Sequence, residues 1–360
     1  MGHLSIKKWI ALKLHQKVKH NNTRLHELTY LFWECTLRCN HACLHCGSDC
    51  TKDNAIKDMP LQDFLKAIDE IIPHVNPNKI TIGITGGEPL LRNDLEACGL
   101  ELYKRGFPWG FVTNGYLLNE KRLNSLLNAG LRTVTISLDG LEANHNWLRG
   151  INNGFPKTVN AIRLVSESGR LVYDVVTCVN QRNINELQEI KKLLISLNVK
   201  QWRLFTIFPV GRAAHNPELS LSDKQFVQLF EFIKETRKEG IISASYGCEG
   251  FLGDYEGEVR DGFFKCSAGI NIASILADGS ISACPSLRSK FIQGNIYRDK
   301  FMDVWNNRYE VMRDRAWTKT GKCKDCKSYC FCEGNGLHLR DNETLELLFC
   351  HLEKINLGQQ

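Results

Sequence analysis

Three cysteines near the start of this chain have a spacing that allows them to bind one metal centre together. They lie in Cys39-Asn-His-Ala-Cys43-Leu-His-Cys46, where three and then two residues separate neighbouring cysteines. Three thiolates can hold three corners of a cubic iron–sulfur cluster, whose usual ligand set is four cysteines. The fourth iron then stays open for a small molecule, as catalytic metal sites keep one position open. The segment therefore predicts a catalytic iron–sulfur site, and a structural zinc site is the alternative.

A second group of cysteines lies in the last third of the chain. Cys323, Cys326 and Cys332 are separated by two and five residues, and Cys350 follows farther along. Four thiolates are enough for a closed iron–sulfur cluster. Zinc also accepts four thiolates, so a zinc-ribbon-like site is the alternative for this group.

The elements that must position these cysteines alternate between strands and helices. Helix-like spacing of apolar residues separates six predicted strands, which are residues 29–34, 79–84, 109–113, 133–138, 171–178 and 201–207. Repeated strand–helix units indicate a parallel sheet covered by helices, and six of them over about 210 residues fit a partial TIM-type (β/α)6 barrel. The first cysteines directly follow the first strand, which places them at the C-terminal face of the barrel, where active sites lie.

The pattern divides the chain into three predicted parts. Residues 29–240 form the barrel, and the periodicity weakens between residues 238 and 245. Residues 241–360 contain many glycines and short irregular runs, which indicates an irregular C-terminal domain depending less on hydrophobic burial. Residues 1–28 are a basic helical extension.

The basic extension is predicted to be an amphipathic helix. Its lysines are interpreted as the solvated face. Its apolar residues are expected to pack inward, and they are Trp9, Ile10, Leu12 and Leu14.

The composition excludes several classes of protein. Hydrophobic residues make up 43% and charged residues 24% of the chain, which excludes intrinsic disorder. The net charge of +6 is spread out, so no nucleic-acid partner is predicted. No apolar run approaches the ~18 residues of a membrane span, and the N-terminus lacks the apolar core of a signal peptide. A cytoplasmic protein with reduced thiols is expected, which favours metal binding over disulfides.

Four motifs in order resemble those of the radical S-adenosylmethionine (radical SAM) enzymes, and they are the cysteine motif, Thr85–Pro89, Thr113-Asn114-Gly115 and Ser137-Leu138-Asp139-Gly140 with Arg149 after it. After the cysteine motif, Thr85-Gly86-Gly87-Glu88-Pro89 is similar to the family's glycine–glycine–glutamate loop, which receives the amino group of SAM. Ser137 and Arg149 match a serine and an arginine twelve residues later that hold the SAM carboxylate in the peptide-modifying branch. The resemblance thus implies a set of SAM-binding residues, which are Gly86, Gly87, Glu88, Asn114, Ser137, Asp139 and Arg149.

The C-terminal cysteines resemble the SPASM extension of peptide- and protein-maturing radical SAM enzymes, which usually holds two auxiliary four-iron clusters. Cys323, Cys326, Cys332 and Cys350 match one complete set. For the other set, Cys266 and Cys284 match the family, but Gly336 stands where a further cysteine is expected. Candidate replacements are Cys248 and Cys330, and the alternatives are a differently ligated cluster, an open iron, or no cluster. The remaining cysteines are expected to pack as small apolar residues, and they are Cys35, Cys50, Cys98 and Cys178.

The resemblance implies an enzyme that uses a reduced 4Fe-4S cluster to cleave SAM into methionine and a 5′-deoxyadenosyl radical. That radical would abstract a hydrogen from a peptide or protein side chain, leading to crosslinking, thioether formation or oxidation. A flavodoxin or ferredoxin would supply the electron. The alternatives are tailoring of a haem-type tetrapyrrole side chain and sulfatase maturation, although Pro285 replaces the aspartate base of the latter. A non-catalytic iron–sulfur or zinc protein is the alternative from another class.

Overall fold

The six predicted strands lie side by side, in chain order, in one parallel sheet. They are β1 (Tyr30–Thr36), β2 (Thr81–Gly86), β3 (Trp109–Thr113), β4 (Leu131–Ser137), β5 (Val172–Val179) and β6 (Gln201–Thr206). The structure is a computed structural model, and it describes residues 5–248 and 250–360. The parallel sheet confirms the predicted α/β class with a partial TIM-like barrel.

Four further strands continue the sheet at both of its edges. β7 (Ser243–Tyr246) pairs in parallel with β6, and β8 (Ile272–Ile275) pairs in parallel with β1. β9 (Ser280–Ser282) and β10 (Gly294–Asn295) follow as antiparallel strands beyond β8. The sheet therefore does not stop near residue 240, because the C-terminal region adds its strands directly to the barrel.

The helices of the described residues cover this sheet and build the C-terminal region. They are α1 (Ile6–Leu25), α2 (Leu61–Ile71), α3 (Leu95–Lys104), α4 (Glu120–Asn128), α5 (Glu142–Arg149), α6 (Gly154–Ser168), α7 (Leu187–Ser196), α8 (Asp223–Glu239), α9 (Phe301–Asn307), α10 (Glu310–Arg313), α11 (Tyr329–Cys332) and α12 (His351–Gly358). In α2 the buried residues recur every three or four positions, and Phe64 stacks on Trp33 of β1 with ring centroids 4.1 Å apart. Such apolar faces hold the helices on the sheet.

The C-terminal region contains more hydrophobic core than its weak periodicity predicts. Phe301, Trp305 and Tyr309 are fully buried, and they belong to the same apolar core as the barrel helices. The Trp305 Nε1 atom also donates to the His26 carbonyl oxygen at 3.1 Å. These residues lie on short elements, where too few turns exist for a helical period to be recognised.

Helix α1 forms as predicted, but its orientation differs from the prediction. Leu12 is buried as expected, whereas Trp9, Ile10 and Leu14 are 47%, 49% and 58% exposed. The expectation that these three side chains pack inward is therefore wrong. Although α1 has twenty residues, no helix in the described part of the chain is long and apolar enough to cross a membrane.

The reason for this orientation is the surface on which α1 lies. Leu12 packs among Phe251, Phe264 and Phe331 of the C-terminal region. Two turns farther along the same side, Lys19 is buried and its Nζ atom lies 2.8 Å from the Glu333 carboxylate. The inward face is thus a narrow ridge that combines one leucine with a paired lysine.

Candidate active site

The first cysteine loop is fixed to its neighbours immediately after β1. The Cys39 backbone N–H donates to the Thr51 carbonyl, and the Leu44 N–H donates to the Leu148 carbonyl, both at 2.9 Å. Burial raises the pKa of the Cys39 thiol to about 12, and the nearby thiols of Cys43 and Cys46 act in the same direction. The structure thus brings the three predicted thiols together at the C-terminal end of the first strand.

Two glycines allow the loop after β2 to lie against this cysteine loop. A Cβ atom at Gly86, which has a φ of 124°, would lie 2.0 Å from the Thr36 carbonyl oxygen, and one at Gly87 would lie 2.1 Å from that of Arg38. The Gly87 N–H donates to the Thr36 carbonyl at 2.8 Å. The predicted Gly86–Gly87 segment is therefore required for contact between the two loops.

The Glu88 carboxylate is fully buried and connects the loops that follow β2 and β3. Its oxygens accept hydrogen bonds from the Leu90 N–H (3.0 Å), the Thr113 hydroxyl (2.9 Å) and the Asn114 N–H (2.8 Å). Burial raises the pKa of Glu88 to about 7, and the three donors oppose this rise. The Asn114 side chain donates to Asn40 inside the cysteine loop at 2.8 Å. Glu88 therefore positions Asn114 against the predicted cluster.

An ion pair joins two further predicted SAM-binding residues. The Arg149 Nε atom lies 2.5 Å from Asp139 Oδ2, and its Nη1 atom lies 3.8 Å from the Cys43 sulfur. Burial opposes ionisation of Asp139, but Arg149 and neighbouring histidines hold its pKa below the ordinary value. Ser137, the last residue of β4, is also buried. The ion pair with Asp139 thus holds the positive charge of Arg149 next to the first cysteine loop.

Three histidines that the motifs did not assign to the site surround this ion pair, and His41 and His145 are buried whereas His45 is half-buried. Burial lowers the pKa of His41 to about 3 and the pKa of His45 and His145 to about 4, so all three are neutral at neutral pH. Both ring nitrogens of His41, the Nδ1 of His45 and the Nε2 of His145 have no hydrogen-bond partner. His41 and His45 lie inside the cysteine motif, and this position was the available signal.

A cavity of about 480 Å³ connects the first cysteine loop with the C-terminal region. His45 lines it from the cysteine loop, and Cys178 lines it from β5. The C-terminal cysteines Cys248, Cys266 and Cys284 also line it. Residues from the barrel and from the C-terminal region therefore face one shared space. Cys178 packs against an apolar cluster as expected, but one side of it borders this space.

The complete C-terminal cysteine set is also brought together. Burial raises the pKa of Cys332 to about 12, and the neighbouring thiols of Cys350, Cys323 and Cys326 act in the same direction. Burial also raises the pKa of Cys350, and the thiols of Cys323 and Cys326 add to this rise. The Arg340 Nη2 atom lies 3.9 Å from the Cys323 sulfur. Four thiols and one buried guanidinium thus share this part of the molecule.

The two candidate replacement cysteines lie in different surroundings. Cys248 is buried, and its sulfur accepts a hydrogen bond from the Thr206 N–H at 3.3 Å. Cys330 is exposed on α11, where its sulfur lies 4.0 Å from the Lys327 carbonyl oxygen. The structure therefore places Cys248, and not Cys330, at the cavity that Cys266 and Cys284 line.

The other cysteines behave mostly as expected. Cys35 and Cys98 are fully buried in the apolar core. Cys50 is buried too, but its N–H donates to the Cys46 sulfur at 3.4 Å, and its hydrogen bond lowers the pKa of Cys46. Cys50 therefore supports a proposed ligand, which the sequence spacing did not predict.

The donor chemistry of both cysteine sets fits iron–sulfur clusters. Clustered thiols are soft ligands for such clusters, and the unpartnered histidine nitrogens leave polar atoms available beside the first set. In residues 5–248 and 250–360, no three His, Cys, Asp or Glu side chains surround a point where one metal ion could bind. A four-iron cluster binds each thiolate through a different iron, so its ligands need not meet at one point.

Comparison with known proteins gives two matching family models. The Radical SAM superfamily model matches residues 33–194, and the SPASM iron–sulfur cluster-binding domain model matches residues 266–327. The AdoMet-dependent heme synthase of Methanosarcina barkeri is 26% identical over 84% of this chain and 89% of its own length. The mycofactocin maturase MftC of Mycolicibacterium smegmatis is 28% identical over 84% of this chain and 76% of its own.

The fold also matches a solved structure over most of the chain. Streptococcus suis SuiB bound to precursor peptide SuiA superposes with a TM-score of 0.71 and 17% identity, covering 95% of this chain and 80% of that chain. At this identity the likeness establishes the fold alone, a partial barrel followed by a C-terminal domain.

Proposed function

Because the chain is a radical SAM enzyme with a SPASM iron–sulfur domain, we propose that it modifies a side chain of a peptide or protein by radical chemistry. When bound, a reduced 4Fe-4S cluster with S-adenosylmethionine supplies a 5′-deoxyadenosyl radical that abstracts a substrate hydrogen. The observation that carries the proposal is the cavity shared by His45 of the first cysteine loop and the C-terminal cysteines. A substrate in this space touches both regions at once.

The residues of the first region have separate tasks. Cys39, Cys43 and Cys46 would hold the catalytic cluster. Arg149 would bind the SAM carboxylate together with Ser137, since a guanidinium pairs well with a carboxylate. Asp139 keeps Arg149 in place through their ion pair.

The loop after β2 would receive the SAM amino group. A carboxylate offers about four acceptor sites, and protein donors occupy three positions on Glu88. One acceptor position therefore remains for an ammonium donor. Gly86 and Gly87 bring this carboxylate close to the cysteine loop, and Asn114 borders the same space.

The C-terminal region would hold the auxiliary clusters. Cys323, Cys326, Cys332 and Cys350 are the proposed ligands of a closed cluster. Cys248, Cys266 and Cys284 are the proposed ligands of a second centre that faces the cavity, where Gly336 supplies no thiol. We place the exposed Cys330 outside this set.

We further propose that residues 1–28, 29–240 and 241–360 are functional units, namely an N-terminal helix, a SAM-binding barrel and an auxiliary iron–sulfur unit. The reductant would be a flavodoxin or ferredoxin, and the enzyme would work in the cytoplasm, where thiols stay reduced.

Modification of a haem-type tetrapyrrole is the second candidate function. It is supported by the match to the AdoMet-dependent heme synthase, which covers 89% of that protein. The peptide proposal is supported by the similarity to the maturase MftC and by the fold shared with SuiB, whose structure contains a precursor peptide.

The test is an anaerobic assay of the reconstituted enzyme with SAM, dithionite and either short peptides encoded beside its gene or an iron-coproporphyrin. The peptide proposal expects 5′-deoxyadenosine together with a mass change in one peptide. A product from the tetrapyrrole alone would replace it by the second candidate. Absence of 5′-deoxyadenosine with every substrate would overturn both.

A further inference from the structure

Exposed apolar side chains are concentrated on helix α1. In the described part of the chain, fourteen large apolar residues are clearly exposed, and six of them lie on this one helix of twenty residues. Their exposed fractions range from 47% to 79%, and they are Ile6, Trp9, Ile10, Leu14, Val18 and Leu25. Exposed apolar residues scattered singly are ordinary, whereas a contiguous group marks an interaction surface.

Four of these residues form a continuous stripe. Ile6, Ile10, Leu14 and Val18 follow one another at intervals of four, and such residues are neighbours on one side of a helix. At about 1.5 Å per residue, the stripe extends for about 18 Å along the helix. We call this side of α1 the outer face.

The outer face carries only positive charge. The first 26 residues contain no aspartate or glutamate. Lys7, Lys17 and Arg24 are exposed beside the stripe, and Lys13 lies with its Nζ atom 5.6 Å from the centre of the Trp9 ring. A partner of complementary charge must therefore be anionic and must also accept aliphatic side chains.

The inner face holds the helix firmly, so the outer face does not arise from a detached segment. Leu12 is buried among aromatic rings, and Lys19 pairs with Glu333. The His15 ring lies 3.2 Å from the Phe264 carbonyl oxygen, which adds a polar contact. Helix α1 is thus a fixed projection of the C-terminal region.

We propose that the outer face of α1 binds the surface of an anionic lipid bilayer. The exposed aliphatic side chains can enter the boundary of the acyl chains, while the neighbouring lysines and the tryptophan suit the level of the lipid headgroups. Anionic lipids attract each nearby lysine or arginine. The stripe is a convex ridge and not a groove, which favours a deformable bilayer over a peptide. The enzyme would then work at a membrane surface without spanning it, and this inference does not depend on the proposed substrate.

The test uses the full reconstituted protein in an anaerobic flotation assay. The probes are vesicles of phosphatidylcholine alone and vesicles that also contain phosphatidylglycerol. The proposal expects binding to the second kind only, and weaker binding in about 0.5 M salt, since the screening length then falls below about 5 Å.

Two variants separate the apolar and electrostatic contributions. Ile10→Ser with Leu14→Ser is expected to weaken vesicle binding at least 30-fold, roughly the loss of half the burial energy of two aliphatic side chains. Lys7→Gln with Lys17→Gln is expected to weaken it by about 30-fold as well, from about fivefold for each lysine. The matched controls alter exposed residues elsewhere and should bind like the unaltered chain, and they are Val172→Ser with Ile241→Ser and Lys52→Gln with Lys57→Gln.

Three results would overturn the proposal. The first is no binding to phosphatidylglycerol vesicles, and the second is binding that the outer-face variants leave unchanged. The third is a concentration-dependent dimer, or a complex with a peptide substrate, that Ile10→Ser with Leu14→Ser abolishes while vesicle binding persists. Thermal unfolding and iron content of each variant must equal those of the unaltered chain, which confirms that the fold is intact.

Discussion

The two cysteine groups balance nearby positive charge in different ways. At the first group, Arg149 approaches Cys43 and forms an ion pair with the buried carboxylate of Asp139. At the C-terminal group, Arg340 approaches Cys323 but donates its hydrogen bonds to backbone carbonyl oxygens. Arg149 is thus part of a network of charged groups, whereas Arg340 connects loops through hydrogen bonds to their backbone.

The number of thiols in each group indicates which site receives a small molecule. Buried polar groups in proteins normally have partners, and exceptions need an explanation. Near the first group, ring nitrogens of His41, His45 and His145 lack partners, and near the C-terminal group the His351 Nδ1 and Arg315 Nε atoms lack them as well. The C-terminal group supplies four thiols and can close its coordination. The distinction therefore rests on the number of thiols, since three leave one iron open for a ligand, whereas four give the second group the composition of a structural or electron-carrying site.

The largest effect is expected from removing the first cysteine group. Replacing Cys39, Cys43 and Cys46 by alanine should abolish 5′-deoxyadenosine formation and remove about four iron atoms per chain. The C-terminal centre should keep its iron, because no ligand is shared. Iron and sulfide quantitation with an assay of SAM cleavage measures both.

The matched control for this triple variant is Cys35→Ala with Cys98→Ala. Both thiols are fully buried in the apolar core, so the double variant loses stability but should retain iron and SAM cleavage. If the triple variant kept its full iron content, the assignment of the first cluster would be wrong.

Breaking the ion pair should have the next largest effect. Asp139→Ala leaves Arg149 charged and buried, and removal of one partner of a buried pair costs about 3–5 kcal/mol. Urea unfolding under anaerobic conditions measures the free energy of unfolding. SAM affinity should fall too, because Arg149 loses its orientation.

Asp69→Ala is the control for the ion pair, since Asp69 is half exposed and pairs with Arg105 on the surface. Such a pair contributes about 0–1 kcal/mol. Equal losses in Asp139→Ala and Asp69→Ala would contradict the role of the buried pair.

Arg340→Met tests the other side of the comparison. The carbonyl oxygens of Gly334, Leu345 and Thr318 lose their donor, and each unsatisfied buried group costs about 1–3 kcal/mol. Methionine fills much of the space but restores no hydrogen bond, so we expect a net loss of about 3 kcal/mol in the free energy of unfolding.

Loss of the guanidinium should also lower the reduction potential of the C-terminal centre, because a nearby positive charge favours the reduced form. Spectroelectrochemistry measures this change, and Arg308→Met, at an exposed arginine, is the control. A change confined to the first cluster would contradict the placement of Arg340.

The local patterns of the barrel explain why most of it could be predicted. Strands such as Trp109–Thr113 are apolar runs between turn residues, and the structure reproduces that one without change. In contrast, β8 pairs with β1 although about 240 residues separate them, and no local pattern records such a pairing. The C-terminal strands were therefore not predicted. The predicted orientation of α1 was wrong, because this helix contacts Phe251, Phe264 and Phe331, which are distant in sequence.

The site shows the same division between local and distant information. The spacing of Cys39, Cys43 and Cys46 and the glycine pair lie in short segments, so the sequence alone indicates them. The missing partners of His41 and the position of Arg340 depend on burial by remote segments. Because Gly336 stands where a cysteine is expected, the sequence did not determine the ligands of the second auxiliary centre. The position of Cys248 at the cavity is visible only in three dimensions.

The smallest effect is expected at Cys330, and its smallness is informative. Its thiol is exposed on α11, so Cys330→Ser should change the free energy of unfolding by less than about 0.5 kcal/mol. Iron content should also remain the same, because a cluster ligand must face the other ligands and not solvent. Cys284→Ser is the matched comparison, since Cys284 lines the central cavity and should lose iron if the second auxiliary centre exists. Iron loss in Cys330→Ser without iron loss in Cys284→Ser would place the second auxiliary centre at the surface of α11 and not at the cavity. Cys330 would then be the ligand, and Cys284 would not.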